Sequence, residues 1–538
     1  PVPPGSPPWV ALGQASGLSP DLARLVWLRA AEDPEELGWR LDPSWARSTD
    51  PFLLPGVAAA VTRIQAALAA REPICVYGDY DVDGVTATAL LTRVLEKLGA
   101  QVSYFIPNRF NDGYGLHLDC IREVLAARAP RLLISVDCGV RSVDEVAASG
   151  VDWIITDHHA LGATLPAAVA VVHPGLEDYP NPHLSGVGVA FKLAQALLGA
   201  ARPEPRDAGF LDGLLKLVAL GTVADMVPLR GENALLVKRG LNALAGANGP
   251  GLAALLQAAK VEGPVRAADI GFGIGPRLNA VGRMGGAEDA VKLLLTRDEA
   301  EARTLMDQVE ELNRTRKAIQ QELAAKLGPA GTDPFDLVVE PTAHKGVIGI
   351  VAGQRMRLSG KPTAVCTVVD GVAHCSVRAP EGYDLRPMLE NARLFLLSGG
   401  GHRYAAGLTF ALGRLGHVRK TLNRVAEEQA LALPAAALLV DGQDPALIPA
   451  RAELDRLEPF GQGFPEPLLA VAGGLDGPPR TFGAGHRKFR LRGGPQEFTL
   501  FASPEAPALA GELLLAVAPL DSLRYGRSWK VDRILAAP

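Results

Sequence analysis

Val76-Tyr77-Gly78-Asp79-Tyr80-Asp81-Val82-Asp83-Gly84 closes an apolar run with three aspartates at alternate positions. Alternate residues of an extended segment point the same way, so the three carboxylates are expected to converge on one volume. Three like charges that close repel strongly unless cations sit among them. The chain repeats the pattern in Ser135-Val136-Asp137-Cys138-Gly139, Ile155-Thr156-Asp157-His158-His159 and Gly221-Thr222-Val223-Ala224-Asp225. These stretches read as a metal site suited to phosphoryl transfer to water. The plain alternative for the first is an acidic turn capping a helix. Four stretches together argue against it.

Around these stretches the apolar spacing alternates. Helices are expected near 57–70, 84–98, 118–127 and 142–148, and strands near 71–78, 101–106, 132–136 and 153–156. Strand–helix alternation with nearly all-apolar strands predicts an α/β fold, its parallel sheet covered on both faces. Each acidic cluster then lies at the carboxyl end of a strand, where open α/β sheets bind ligands. A helix over 211–220 is expected to deliver Asp225 just past its end. From Asp298 to Leu327, apolar residues at Ala302, Leu305, Met306, Val309, Leu312, Ile319 and Leu323 predict one amphipathic helix of roughly 45 Å, a candidate interdomain strut.

A chain of 538 residues is too long for a single core, so several domains are expected. Residues 1–50 are Pro-rich but hold four of the six tryptophans, Trp9, Trp27, Trp39 and Trp45, and read as an extension packed on the core. Residues 51–297 read as the first α/β domain, 298–328 as the connecting helix and 329–428 as a second, smaller α/β domain. Short alternating runs broken by Gly and Pro over 436–538 predict a small β-barrel.

No apolar run reaches the ~18 residues of a membrane helix. The N-terminus carries no basic-then-apolar signal and opens on Pro instead of Met, which suggests a trimmed chain. Cys75, Cys120, Cys138, Cys366 and Cys375 are odd in number, with no CxxC pair, and read as reduced thiols of a cytoplasmic protein. A net charge of −5 taken alone argues against nucleic acid, so that question falls to local charge.

Carboxylates with one or two imidazoles suit Mn²⁺ or Mg²⁺, and the histidines favour Mn²⁺. The four stretches match in order the motifs of the DHH phosphoesterase family. Ser398-Gly399-Gly400-Gly401-His402 resembles the glycine-rich signature of its associated domain. Gly275-Pro276-Arg277-Leu278-Asn279-Ala280 and the Leu457–Pro467 segment resemble the family's single-strand-specific 5′→3′ DNA exonucleases, and the resemblance spans about residues 50–538. It implies a DHH core, a DHH-associated domain and an OB-fold. It also implies two ions held by Asp81, Asp83, Asp137, His158 and Asp225, with Asp137 bridging them. Asp79 and His159 either bind an ion directly, orient a ligand or touch the scissile phosphate. A water between the ions would be the nucleophile.

Substrate phosphate needs cations. Arg109 lies in a Gly-rich turn, and Ser376 and Arg378 alternate on one strand face. Together they are candidates for holding a terminal 5′-phosphate, against the plainer reading of surface or interdomain salt bridges. His402 beside three glycines is a candidate for approaching a phosphate, and so a catalytic candidate with Asp137, His158 and His159. Tyr80, Tyr114 and His117 either contact bases or simply pack. Arg277, Asn279 and Arg283 resemble family positions facing the nucleic-acid path. In the β-rich region, Arg487, Lys488, Phe489 and Arg490, then Tyr525 and Trp529, interleave cations with aromatics, as single-strand-binding barrels do.

The expectation is therefore a monomeric exonuclease that degrades single-stranded DNA from a 5′ end, working with a helicase and a single-strand-binding protein and without a membrane. Two other readings stay open. One is a DHH phosphodiesterase for short oligonucleotides or cyclic dinucleotides; the other is a non-catalytic single-strand-binding scaffold. A pyrophosphatase of the same superfamily is disfavoured by the aromatic-basic third region.

Overall fold

The computed structural model describes residues 7–30, 36–108, 115–199, 208–261, 263–432, 451–483, 485–492, 496–501, 509, 512–522 and 526–535. Five parallel strands make the first sheet: β1 (Ile74–Tyr77), β2 (Val102–Phe105), β3 (Leu132–Val136), β4 (Asp152–Thr156) and β5 (Ala170–Val172), in the order β2-β1-β3-β4-β5. β1 and β3 are buried at every position because helices cover both faces, which is why they read as unbroken apolar runs. Val82–Lys97, Gly186–Leu197 and Ala208–Ala224 form one side of the core, and Leu118–Arg128 packs with Cys75, Tyr77 and Trp153 on the other.

The helix Glu299–Leu327 opens on Asp298, whose carboxylate accepts from Glu301 N at 2.7 Å. Its first half buries Ala302, Leu305, Met306 and Val309 in the first core, and Leu323 enters a separate cluster with Val347, Ile348 and Val365. It thus joins two cores. The second sheet contains β6 (Asp336–Val339), β7 (Thr363–Val369), β8 (Val372–Arg378), β9 (Ser398–Gly401) and β10 (Ala405–Ala411), ordered β6-β7-β8-β10-β9 and antiparallel except between β6 and β7.

The C-terminal sheet has β11 (Leu469–Gly474), β12 (Arg480–Phe482), β13 (His486–Arg490), β14 (Glu497–Leu500), β15 (Glu512–Ser522) and β16 (Gly526–Leu535), in the order β11-β15-β16-β14-β13-β12. The N-terminal helices complete its core: Leu18, Leu22, Leu25 and Val26 pack with Leu454, Phe460, Phe464 and Val471. The extension therefore rests largely on this third unit, although Trp45 stacks on Phe191 of the first core at 6.1 Å. Arg40 ties the junction. Its buried guanidinium bonds Glu36 and the carbonyls of Leu457, Pro459 and Leu229.

One expectation fails here. Cys366 and Cys375 face each other across β7 and β8 and are joined in a disulfide, while Cys75, Cys120 and Cys138 are free and buried. The hairpin brings together two cysteines that sequence spacing left apart. No single described helix is long and apolar enough to cross a membrane.

Candidate metal centre and strand-binding surfaces

The aspartates of the first stretch do converge, but not along a strand. β1 ends at Tyr77 and Val82 already begins a helix, so Asp79 and Asp81 lie between the two elements and Asp83 lies inside the helix. Asp81 is the N-cap, its Oδ1 accepting from Asp83 N at 3.0 Å and Gly84 N at 3.1 Å. The capping reading and the acidic-cluster reading are both right. Asp83 projects from the first helical turn and is gripped by the start of another helix: Gly186 N at 2.6 Å and Val187 N at 2.9 Å donate to its carboxylate.

Asp137 follows β3 in a left-handed conformation, φ 64°, which an aspartate adopts at a cost on the order of 1 kcal/mol. Its N–H donates to Thr156 O at 2.9 Å, which fixes it beside the His158–His159 turn after β4. Asp225 follows the Ala208–Ala224 helix, as expected. Asp79, Asp81 and Asp137 place donor atoms within 4.8 Å of one another. So do Asp83, His158 and Asp225, and so do Asp137, His158 and His159.

The charge balance shows what the cluster lacks. Burial and then the Asp81 charge push Asp83 up to about 7. Burial and then Asp83 raise Asp225 to about 9, and burial with four neighbouring carboxylates raises Asp137 well above the usual range. At neutral pH these groups can all be ionised only beside cations. His158 supplies an independent test. Its Nε2 lies 3.1 Å from Asp137 Oδ1, 3.6 Å from Asp225 Oδ2 and 3.8 Å from Asp83 Oδ2, buried without a hydrogen-bond partner. The Leu184 carbonyl interacts with the same ring, and burial takes its pKa down to about 3. A neutral imidazole aimed into a nest of carboxylates fits a divalent cation.

His159 differs. Asp157 accepts from His158 N, His159 N and His159 Nδ1 with Oδ1, and from Val140 N at 2.9 Å with Oδ2. Burial opposes charge on His159, but the Asp157 bond and carboxylate outweigh it and raise the ring to about 9. His173, buried and lacking from the sequence reading, bonds the His159 carbonyl at 2.7 Å and accepts from Gly175 N. Two glycines were also missed. A Cβ on Gly186 would lie 2.5 Å from Asp137 Oδ1, and one on Gly221 would lie 2.6 Å from Asp83 Oδ1. Such glycines carry no signal of their own until a neighbour is known.

Ser376 and Arg378 share a face of β8, with Arg378 Nη1 3.1 Å from Ser376 Oγ. The first turn of the helix Ile348–Ser359 lies against them, since a Cβ on Gly349 would come within 2.8 Å of Ser376 Oγ. Arg283 reaches the Gly346 carbonyl at 3.2 Å, beside that turn. Tyr80 is half-buried and lines a cavity of about 270 Å³ with Asn108 and Gly282. His117 precedes the Leu118–Arg128 helix, Asn279 is half-buried, and His402 is exposed at the β9–β10 turn. Arg109, Tyr114 and Tyr525 lie outside the described residues.

Two groups of expectations need correction. Arg277 does not present its guanidinium to a strand: it bonds Glu310, Gly273 O at 2.7 Å and Ala258 O at 2.8 Å. Phe489 and Trp529 are buried in the barrel core, Phe489 stacked on Phe498, so neither is a stacking surface. Alternation along β13 turns Phe489 inward and leaves Arg490 exposed, with Arg487 and Lys488 half-exposed and Lys488 3.0 Å from Glu497. The partly exposed rings are instead Phe482, His486 and Phe501, in an edge-to-face row at 5.5 and 5.1 Å.

Three family models match the chain: "DHH family, N-terminal domain" over residues 73–222, "DHHA1 domain" over 335–428 and "RecJ OB domain" over 448–508. The single-stranded-DNA-specific exonuclease RecJ of Dickeya dadantii is 36% identical over 484 residues, covering 83% of this chain and 82% of the relative. The chain belongs to the RecJ family. RecJ of Bacillus subtilis is also 36% identical, over 494 residues, and there the match takes in 88% of this chain but only 62% of the relative's length. The crystal structure of Thermus thermophilus RecJ in complex with Mn²⁺ superimposes with a TM-score of 0.84 at 31% identity, covering 99% of this chain and 78% of that one. A RecJ complex with Mg²⁺ from the same organism aligns at 0.79, with 29% identity.

Proposed function

We propose that the chain is a divalent-metal-dependent exonuclease that removes mononucleotides from the 5′ end of single-stranded DNA, in recombination and repair. One observation carries the reading: four separate segments bring crowded, buried carboxylates around a neutral His158 nitrogen that has no hydrogen-bond partner. The identity to RecJ exonucleases and the Mn²⁺ in a related crystal structure support the same choice. Asp81, Asp83, Asp137, His158 and Asp225 would hold two ions, Mn²⁺ or Mg²⁺, with Asp137 between them. Bound there, such ions supply an activated water and neutralise charge on the phosphate.

The chain's own groups do the rest. Asp157 accepts from His159 Nδ1 and fixes the orientation of that ring, which would face the scissile phosphate. Asp79 orients the cluster from the end of the sheet. Ser376, Arg378 and the first turn of the Ile348–Ser359 helix form a cradle of donors for the terminal phosphate, with Arg283 close by. The barrel's basic β13 edge and its ring row would guide the strand. On this reading 51–297 is the catalytic domain, 298–328 its connecting helix, 329–428 the DHH-associated domain and 436–538 the strand-binding domain. A substrate of unpaired DNA calls for a helicase to unwind it and coexists with a single-strand-binding protein. We take the enzyme to act in the cytoplasm, as a monomer.

Metal-stripped protein reloaded with Mn²⁺ is expected to reduce a 5′-phosphorylated single strand to mononucleotides and to leave the same sequence intact as a blunt duplex. Equal degradation of both would reject the single-strand reading.

A further inference from the structure

Phe272 is 88% exposed, among the most exposed large apolar side chains described, and Met226, directly after Asp225, is 68% exposed. Met226 adjoins the metal cluster through Asp225. The turn that carries Phe272, Ile270–Ile274, is π-helical, a geometry that recurs at functional sites. It packs on the end of the helix that delivers Asp225, since a Cβ on Gly275 would lie 3.5 Å from that of Ala224. The helix continuing from it, Gly275–Met284, runs to the aspartate loop, where Gly282 touches the Tyr80 carbonyl too closely for any side chain.

The turn is braced. Ile270 and Ile274 are buried on either side of Phe272, and Arg277 clamps the Gly273 carbonyl from below while reaching Ala258 O and Glu310. An arginine so fully engaged is unavailable to a phosphate, but it fixes the one ring that projects outward. An exposed loop aromatic with no such support would wander among rotamers and gain little from a contact.

We infer that Phe272 is a stacking platform for an unpaired base of the bound strand, and that Arg277 is the positioning residue that holds it rigid. This rests on the exonuclease reading and goes beyond it by naming a substrate contact outside the motifs. An aromatic face takes any base, so the platform suits a nuclease without sequence preference. Along the Gly275–Met284 helix, Phe272 stands about 15 Å from the aspartate loop at 1.5 Å per residue. At roughly 3.4 Å or more per nucleotide, that places the stacked base about three to five nucleotides from the cleaved end.

The test compares wild type, Phe272→Ala and Phe272→Trp on a long single strand, on a dinucleotide, and on strands with one abasic site at successive positions near the 5′ end. Wild type should lose roughly tenfold in kcat/KM when the base about three to five nucleotides in is removed. Phe272→Ala should show a similar rise in KM on the intact strand, lose most of the preference for the long strand over the dinucleotide, and respond no further to the abasic site. Phe272→Trp should restore the preference. Arg277→Lys should blunt the abasic response, which a purely structural role would not. A wild type that trims the strand while Phe272→Ala matches it on every substrate overturns the platform and leaves the exonuclease reading standing. A wild type that cleaves none of them overturns that reading and the platform with it.

Discussion

Asp83, Asp137 and Asp225 are held where ionisation is costly, and the direction of that cost is measurable. Their folded values lie above the ordinary carboxylate range, at about 7 for Asp83 and about 9 for Asp225. Between the ordinary value and those values, the metal-free native state binds more protons than the unfolded chain, so its stability falls as pH rises, by up to about 1.4 kcal/mol per pH unit for each such group. Thermal melts of EDTA-treated protein should lose Tm from pH 5 towards pH 9, and the increment on adding Mn²⁺ should grow over the same window. A pH-independent increment would contradict the assignment. Gly186→Ala sets a methyl 2.5 Å from Asp137 Oδ1 and should weaken Mn²⁺ binding by roughly 10- to 100-fold in calorimetry, as loss of a supporting contact does elsewhere. The motif aspartates and histidines were legible in the sequence because charge at the end of an apolar run is conspicuous. Gly186, Gly221 and His173 were not, because each matters only through what stands beside it.

At the scale of elements, β1, β3 and β4 of the first sheet were readable for a physical reason. Buried parallel strands are unbroken apolar runs, and each of these three ends at a polar or glycine turn, whereas the three-residue β5 went unpredicted. The failures share a cause too. Asp79, Asp81 and Asp83 alternate in sequence, but a strand gives way to a helix between them, and convergence comes from that turn and from the Gly186 amide opposite. Phe489 and Trp529 read as surface rings in the sequence because a cation beside an aromatic looks alike whichever face of a strand it occupies. The Cys366–Cys375 disulfide needed the β7–β8 register. The cradle made by β8 and the Ile348–Ser359 helix yields its own prediction. Arg378→Ala should slow degradation of 5′-phosphorylated strands about tenfold or more, in line with the loss of a charge-assisted hydrogen bond, and should affect 5′-hydroxyl strands much less. Equal losses on both would remove its role in end recognition.

Across the whole molecule, the two ends of the described chain meet. Leu18, Leu22, Leu25 and Val26 complete the barrel's core, and Arg40 pins Leu457 and Pro459 to the catalytic unit through the Leu229 carbonyl. Truncation after Ala432 would therefore strip a partner from the N-terminal helices and expose their apolar face. Such a protein is expected to aggregate, whereas one also lacking residues up to 44 should stay soluble and bind long strands more weakly, with a shallower salt dependence. Light scattering and fluorescence anisotropy would check both, and unchanged strand affinity would deny the barrel its role. The most direct test of the central claim follows a strand labelled at its 5′ end, with wild type and Asp137→Asn both supplied with Mn²⁺. The label should leave wild-type reactions as a mononucleotide from the first time point, while the variant binds the strand and releases nothing. A label that stays on progressively shorter strands, or equal release by the variant, would contradict the account.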